Sequence, residues 1–143
     1  MTTQGKAALG TLIKSGNGAS PEVFTTIAEV NNIDGPEELL EFVEATHHQS
    51  TYREFIPTLP GVSDLPLTLN FLGDETTQGF TTAGLRKDLR DKALRHFEIV
   101  FTNGDTASFS AYVMRFKSGA PVNGLLTANA TLKVSGLLTW SHS

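Results

Sequence analysis

The stretch FEIVFTNGDTASFSAYVMRF, residues 97–116, contains two runs of alternating side chains separated by a turn. Alternation with a period of two is typical of half-buried strands, because successive side chains point to opposite faces. The residues that share one face are Phe97, Ile99 and Phe101 in the first run, and Ala107, Phe109, Ala111 and Val113 in the second. We therefore predict an antiparallel hairpin whose apolar face helps to build the core.

The turn of this hairpin contains Asn103 and Gly104, a pair that ordinarily favours a two-residue loop. That loop would set Phe97 and Ile99 beside the polar Ser and Thr face of the next strand. A three-residue loop instead keeps odd-numbered residues opposite odd-numbered ones, so the apolar faces coincide. The sequence thus predicts a three-residue loop with Gly104 in the left-handed conformation.

Five further segments are predicted strands. Residues 65–71 and 128–134 alternate regularly, whereas residues 6–14, 23–30 and 39–45 are weaker candidates enriched in β-forming residues. Residues 31–36, NNIDGP, separate two of these as a turn. A chain of 143 residues fits one domain. The predicted fold is mainly β: an antiparallel β-sandwich or barrel of about seven strands over residues 1–143.

Residues 74–92, DETTQGFTTAGLRKDLRDK, have the pattern of the single predicted helix. Acidic residues come first, Leu85 and Leu89 are four apart, and basic residues follow, which matches the preferences of a helix dipole. Thr81 or Thr82 is the expected N-cap. We predict about three helical turns flanking the sheet.

Charge and composition exclude several function classes. The net charge of -4 argues against a general nucleic-acid-binding protein. Basic residues concentrate only around the predicted helix, where Asp88 and Asp91 interleave with them, so a salt-bridged helix face is favoured over a phosphate site. These basic residues are Arg86, Lys87, Arg90, Lys92 and Arg95.

No cysteine is present, which excludes disulfides, thiolate zinc sites and cysteine nucleophiles. No run of 18 apolar residues predicts a membrane span. The first residues lack the continuous hydrophobic region of a signal peptide, so we expect the protein to be cytoplasmic when made.

Residues 47–64, HHQSTYREFIPTLPGVSD, lie between strand-like runs without any periodicity. Tyr52, Phe55 and Ile56 are apolar side chains that a merely exposed loop would not need. Loops longer than about 12–15 residues are uncommon in compact domains and are usually functional or disordered. The segment from His47 to Asp64 is therefore predicted to be a long loop that contacts a partner.

Catalytic, cofactor and metal sites are not predicted. His47 and His48 are adjacent, so on an extended backbone they point to opposite sides, and no third ligand follows at a recognisable spacing. Glu38, Glu41 and Glu44 could supply carboxylates to a hydrolase, but a solvated or interfacial acidic ribbon has the same pattern. Serine-nucleophile and phosphate-binding glycine motifs are missing.

In the order of these features along the sequence, the chain resembles the tail tube (major tail) proteins of long-tailed, non-contractile bacteriophages, the family of the lambda tube protein. The resemblance rests on Thr-His-x-x-Ser-x-x-Arg-Glu-Phe at residues 46–55 and on the hairpin at 97–113, and it covers most of the chain, from about Ser20 to Gly136. Two departures are Thr58 after Pro57, where glycine is common, and the end at Ser143 without an immunoglobulin-like extension. The second implies a smooth-surfaced tube.

The resemblance implies a structural virion protein, not an enzyme, with no cofactor. Its copies would form hexameric rings that stack into the tail tube, assembled in the host cytoplasm beside tape-measure, tail-tip and tail-terminator proteins. DNA would pass through without binding. The long loop would reach a neighbouring ring through Tyr52, Arg53, Glu54, Phe55, Ile56 and Pro57. Acidic residues facing the lumen would be Glu38, Glu41, Glu44 and Asp105.

Two alternatives remain open at this point. A tail-completion or head-tail joining protein would form a ring with the same type of sandwich. A β-sandwich module that binds a sugar or another small ligand is suggested by Trp140, Tyr52 and Tyr112, although Trp140 is expected in a mobile tail.

Overall fold

The computed structural model describes residues 7–72, 75–80 and 84–142. These residues form ten strands and one helix, rather than about seven strands. In chain order they are β1 (Leu12–Gly16), β2 (Phe24–Thr26), β3 (Val30–Ile33), β4 (Glu38–Glu44), β5 (Phe55–Val62), β6 (Leu65–Asn70), α1 (Leu85–Asp91), β7 (Arg95–Val100), β8 (Asp105–Gly119), β9 (Thr127–Val134) and β10 (Thr139–His142).

Eight of the strands form one antiparallel sheet, and β4 and β5 form a separate two-stranded ribbon. The order in the sheet is β2-β1-β7-β8-β9-β6-β3, with β10 paired to β8. The sheet curls so that β1 also contacts β3, and α1 packs against β8. This architecture confirms the predicted class, a mainly β, sandwich-like or barrel-like fold flanked by one helix.

The hairpin of β7 and β8 has the predicted loop, and odd-numbered residues lie opposite odd-numbered ones, as predicted. The Phe101 amide donates to the Asp105 carbonyl at 2.9 Å, which leaves three residues in the loop, and Gly104 has a φ of 97°. Phe97 lies opposite Phe109, and Ile99 lies opposite Ala107. The Phe97 and Phe109 rings stack with centroids 5.9 Å apart in the core.

A bulge in β8 explains why its apolar residues change parity. Up to Val113 the odd-numbered residues face the core, but the register with β9 shifts between Val113 and Arg115. Beyond the shift, Phe116 lies opposite the buried Ala130 and packs against the core. An extra residue in one strand of a pair causes such a switch.

The helix is shorter than predicted, with seven residues and about two turns, and Gly84 is its N-cap. The expected caps Thr81 and Thr82 lie outside the described residues. The first helical amides, those of Leu85, Arg86 and Lys87, donate to the carbonyls of residues 77–79. A Cβ on Gly84 would lie 2.3 Å from the Gly79 carbonyl oxygen. Close packing on this turn therefore determines where the helix begins.

The prediction of one strand over residues 23–30 and a turn over 31–36 is wrong. Glu29 has a φ of 54° and separates β2 from β3, and β3 includes Asn31 and Asn32. Pairing of β3 with β6 overrides the weak strand propensity of the two asparagines. The first strand begins at Leu12, later in the chain than predicted. In the described part of the chain, no helix is long and apolar enough to cross a membrane.

Candidate functional site: an exposed hairpin arm and a helix-side pocket

Residues 38–62, here called the arm, form a β-hairpin that stands apart from the main sheet. The prediction of an irregular loop over residues 47–64 is wrong for its second half, because residues 55–62 are strand β5 paired with β4. The pairing of Leu40 with Pro60 and of Phe42 with Pro57 leaves Thr58 and Leu59 opposite one residue. This bulge and the two prolines interrupt the alternation of apolar and polar residues by which a strand is recognised in a sequence.

The arm is apolar on both faces. On β4, Leu40 and Phe42 share one face, and Leu39 and Val43 share the other. Eight large apolar or aromatic side chains of the arm are between 43% and 86% exposed: Leu39, Leu40, Phe42, Val43, Tyr52, Phe55, Ile56 and Leu59. A two-stranded ribbon has no layer of its own to cover either face. Exposure of this extent marks a surface that binds another molecule.

The tip of the arm, residues 45–54, is held by hydrogen bonds. The Ala45 amide donates to the Glu54 carbonyl at 2.7 Å, and the Glu54 amide donates to the Thr46 hydroxyl at 3.0 Å. The Ser50 hydroxyl donates to the Glu54 carboxylate. This ordered tip presents Tyr52 and Arg53 at the surface.

All six residues predicted to contact a neighbouring ring lie on the arm and are exposed. Tyr52, Arg53 and Glu54 are in the tip, whereas Phe55, Ile56 and Pro57 begin β5. Their role in contacts between copies stays a prediction.

The four predicted lumen acids do not form one cluster. Glu38, Glu41 and Glu44 are on β4, with Glu41 on the face opposite to the other two. Asp105 begins β8, and its carboxylate lies 2.6 Å from the His142 Nδ1 atom. Whether these residues face a lumen is likewise still a prediction.

The base of the arm is attached to the main sheet through Trp140. Trp140 was expected in a mobile tail, but it lies in β10, opposite Ala107 of β8. Its ring stacks on Phe101 at 5.9 Å, and its Nε1 donates to the Glu38 carboxylate at 2.9 Å. These contacts give Trp140 a structural role and weaken the reason for proposing a ligand-binding module.

The histidines of the tip do not assemble a metal site. The His47 Nε2 atom lies 3.4 Å from the Glu54 carboxylate, while its Nδ1 accepts a hydrogen bond from the Gln49 amide. Among the described residues, no group of three or more His, Asp or Glu side chains is placed to hold a metal ion.

A second exposed feature, here called the helix-side pocket, lies between α1 and β8. It has a volume of about 210 Å³ and is lined by Phe80, Arg86, Leu89, Arg90 and Phe116. The Arg86 guanidinium lies 4.5 Å from the Phe80 ring centroid and 5.8 Å from that of Phe116. Arg90 lies 4.3 Å from the Phe80 centroid. Cation–π contacts of this kind stabilise Arg86 and Arg90, and both guanidinium groups keep their positive charge.

Sequence reasoning missed this pocket. It predicted a salt-bridged helix face, which is confirmed for Lys87 with Asp91 at 2.8 Å. Arg95 lies on β7 and pairs with the buried Asp88 of α1, also at 2.8 Å. Arg86 and Arg90 instead stack on aromatic rings. The β8 bulge that turns Phe116 toward them has no clear signal in the sequence.

No protein-family model and no curated protein matches the chain. Among solved structures, a chain from the tail of an empty gene transfer agent particle, determined with C6 symmetry, matches with a TM-score of 0.76 and 17% identity over 96% of this chain and 99% of that chain.

A chain of the PVC extracellular contractile injection system, from its sheath-tube complex, matches at a TM-score of 0.68 and 13% identity over 100% of both chains. A chain from the tube terminating cap of the anti-feeding prophage matches at 0.72 and 11% over 100% of this chain and 95% of that chain. These similarities include contractile systems and do not single out the lambda-like, non-contractile family. What they establish is the fold, which this chain shares with chains of particle tails and injection-system tube assemblies.

Proposed function

We propose that this chain is a tail tube subunit, a structural protein whose copies form hexameric rings that stack into a hollow tube. The arm carries the proposal, because its two apolar faces are exposed in the isolated subunit and need a partner. The fold shared with the C6-symmetric gene transfer agent tail supports a six-membered ring.

The main sheet supports the same assembly. β2 and β3 end the main path of the sheet, and among the described strands each is paired on one side only. Open strand edges attract further strands, and proteins avoid aggregation by covering them or by closing the sheet. Contacts between unlike surfaces of identical copies close into a ring when the rotation allows it. A ring thereby covers edges and an arm that one copy leaves exposed.

The charge of the subunit suits a conduit for DNA. A net charge of -4 on every copy produces a negative potential around a ring, which repels phosphates and lets DNA slide. In this proposal the protein belongs to the virion tail of a non-contractile phage and has no enzymatic activity. It meets tape-measure, tail-tip and tail-terminator proteins.

Electron microscopy of the purified protein in negative stain tests the proposal. We expect six-fold rings and, at higher concentration or with tail-tip proteins, stacked tubes with an open lumen. Monomers that never form rings under any assembly condition would contradict it.

A ring that closes the tube, as in a tail-completion or head-tail joining protein, is the second candidate. The match to a chain of a tube terminating cap favours it. The same images separate the two candidates, since a closing ring would stay single whereas a tube subunit stacks.

A further inference from the structure

We propose that the arm of one copy docks on the helix-side pocket of a second copy, with Glu44 of the arm beside Arg90 of the pocket. This inference rests on the proposed tube function and adds the receiving surface, which the isolated arm does not reveal. It follows from complementary charge, complementary apolar surface and the exposure of both partners.

The arm is an acidic apolar element. Its carboxylates outnumber its single cation, Arg53, and they are Glu38, Glu41, Glu44 and Glu54. Glu44 lies opposite Phe55, so a carboxylate and an aromatic ring sit side by side near the tip. The arm of a copy therefore offers an aromatic side chain together with a negative charge.

The helix-side pocket has the opposite character. Its wall consists of Phe80, Leu89 and Phe116, and Arg90 is exposed at its rim. Within the described ranges, Arg90 forms no salt bridge. The pocket thus presents apolar surface with a cation at its rim that lacks a carboxylate partner.

The two surfaces match in chemistry. A Phe55 ring placed in the pocket would cover the Phe80 and Phe116 rings and extend the aromatic contacts around the arginines. Glu44 would then reach Arg90, and an arginine–carboxylate hydrogen bond in a covered site is stronger than one between neutral groups. Arginine and aromatic residues are also the types most enriched where interface energy concentrates.

A second copy, rather than the same chain, supplies the arm. The arm residues remain exposed in the subunit, so the pocket is not filled by its own arm. Glu38 at the arm base is bound to Trp140 beside Ala107, while Phe116 is nine residues further along β8. At about 3.3 Å per residue, Phe116 therefore lies roughly 30 Å along β8 from the base of the arm. The arm thus begins far from the pocket of its own chain.

Charge reversal tests the pairing. Glu44→Lys and Arg90→Glu each place like charges together, so each should raise the protein concentration for half-assembly roughly tenfold or more. The double variant restores opposite charges and should return this concentration to near the wild-type value. Lys92→Glu is the matched control, because Lys92 is the C-cap of α1 and does not line the pocket, and it should assemble normally. Thermal unfolding of every variant confirms that the subunit is folded.

Cysteine cross-linking gives a direct readout, since the chain has no cysteine of its own. An arginine–carboxylate pair holds its two Cα atoms farther apart than the limit of about 7 Å for a disulfide, so the reagent is a short bismaleimide. Glu44→Cys and Arg90→Cys chains, mixed, assembled and treated with it, should yield a cross-linked dimer in tubes and not in free subunits. Glu44→Cys mixed with Lys92→Cys should cross-link at a lower rate. Normal tubes from both charge variants, with no cross-link, would overturn this docking and leave the tube function intact. A wild-type protein that forms no tube would instead remove the function on which the inference rests.

Discussion

At the residue scale, the pair of Asp88 and Arg95 joins α1 to β7. The Asp88 side chain is 1% exposed and accepts two hydrogen bonds from the Arg95 guanidinium, at 2.8 and 3.1 Å. These hydrogen bonds raise the pKa of Arg95, so the guanidinium stays protonated. Arg95→Met should lower the free energy of unfolding by about 3–5 kcal/mol, because a buried carboxylate loses its partner.

Chemical denaturation of the subunit measures this loss. Lys87→Met is the matched control, since Lys87 pairs with the exposed Asp91 and should cost no more than about 0.5 kcal/mol. Equal effects from the two substitutions would show that burial does not strengthen the first pair.

Phe97 is the central aromatic residue of the core, 1% exposed and stacked on Phe109. Phe97→Ala should destabilise the subunit by roughly 3–5 kcal/mol, through lost burial and the cavity that remains. Phe55→Ala on the exposed arm should change the same quantity by less than about 0.5 kcal/mol. A loss below about 1 kcal/mol for Phe97→Ala in denaturant unfolding would be incompatible with its packing.

Glu22 makes the stability depend on pH. Burial alone would raise its pKa, but hydrogen bonds from His96 and the Gly18 amide, with the charge of Arg95, lower the pKa below its ordinary value of 4.5. The folded state therefore binds its proton less readily than the unfolded state. The stabilisation is present above pH 4.5 and is lost as pH falls through the folded-state pKa.

Glu22→Gln removes this titrating group. We expect the variant to be less stable than the wild type at pH 7 and to lose less stability between pH 5 and 3. Urea unfolding at a series of pH values measures both quantities. Parallel pH profiles for the two proteins would rule out a contribution from Glu22.

At the element scale, the arm is attached to the main sheet but contributes little to its core. Glu38 pairs with Val62, so the ends of the arm are neighbours and an Asn-Gly turn can replace residues 39–61. No residue of that range belongs to the buried core. The excised subunit should unfold within a few degrees of the wild type, yet form no stacked tubes. Circular dichroism and negative-stain images check the two halves of this prediction.

A subunit without residues 39–61 that still stacks into tubes would show that the arm is not the stacking element. A shorter deletion of residues 50–61 does not test this point, because it removes most of β5 and leaves the apolar strand β4 without its partner. An unpaired apolar strand promotes aggregation.

The elements also show what the sequence could predict. The loop of the β7–β8 hairpin and the matching of its apolar faces were predictable, because the apolar alternation and Gly104 agree on one loop length. The strand β5 was not, because Pro57 and Pro60 and the bulge between them hide its alternation. The helix start was missed for another reason, since it depends on the packing of Gly84 against residues 76–79. Local patterns cannot reveal such tertiary contacts.

The candidate site divides in the same way. Sequence reasoning found the arm tip, because Tyr52, Phe55 and Ile56 are apolar residues in a segment without periodicity. It missed the helix-side pocket, since Phe80, Arg86 and Phe116 are brought together only by the fold. Contacts between segments that are distant in the chain depend on the three-dimensional fold, which the spacing of residues in the sequence does not reveal.

At the scale of the whole molecule, the main sheet and the arm differ in how much of their apolar surface is covered. The main sheet and α1 bury a continuous apolar core, whereas the arm exposes both faces. The arm is acidic, and Arg90 at the rim of the helix-side pocket forms no salt bridge within the described part of the chain. A molecule with these two complementary regions gains burial and opposite charges when copies join end to end, and it gains neither alone.

Arg53 makes this difference measurable, because it is an exposed basic residue at the arm tip and trypsin cleaves preferentially at such sites. In free subunits, cleavage after Arg53 should precede cleavage at the basic residues of the described strands and helix. In tubes the arm would be covered, so the cleavage rate at Arg53 should fall at least about tenfold. Mass spectrometry of timed digests identifies the first cut, and an Arg53→Gln subunit serves as the control that lacks it. Equal rates in subunits and tubes would mean that the tip stays exposed after assembly, and the arm would then not be the surface that joins the copies.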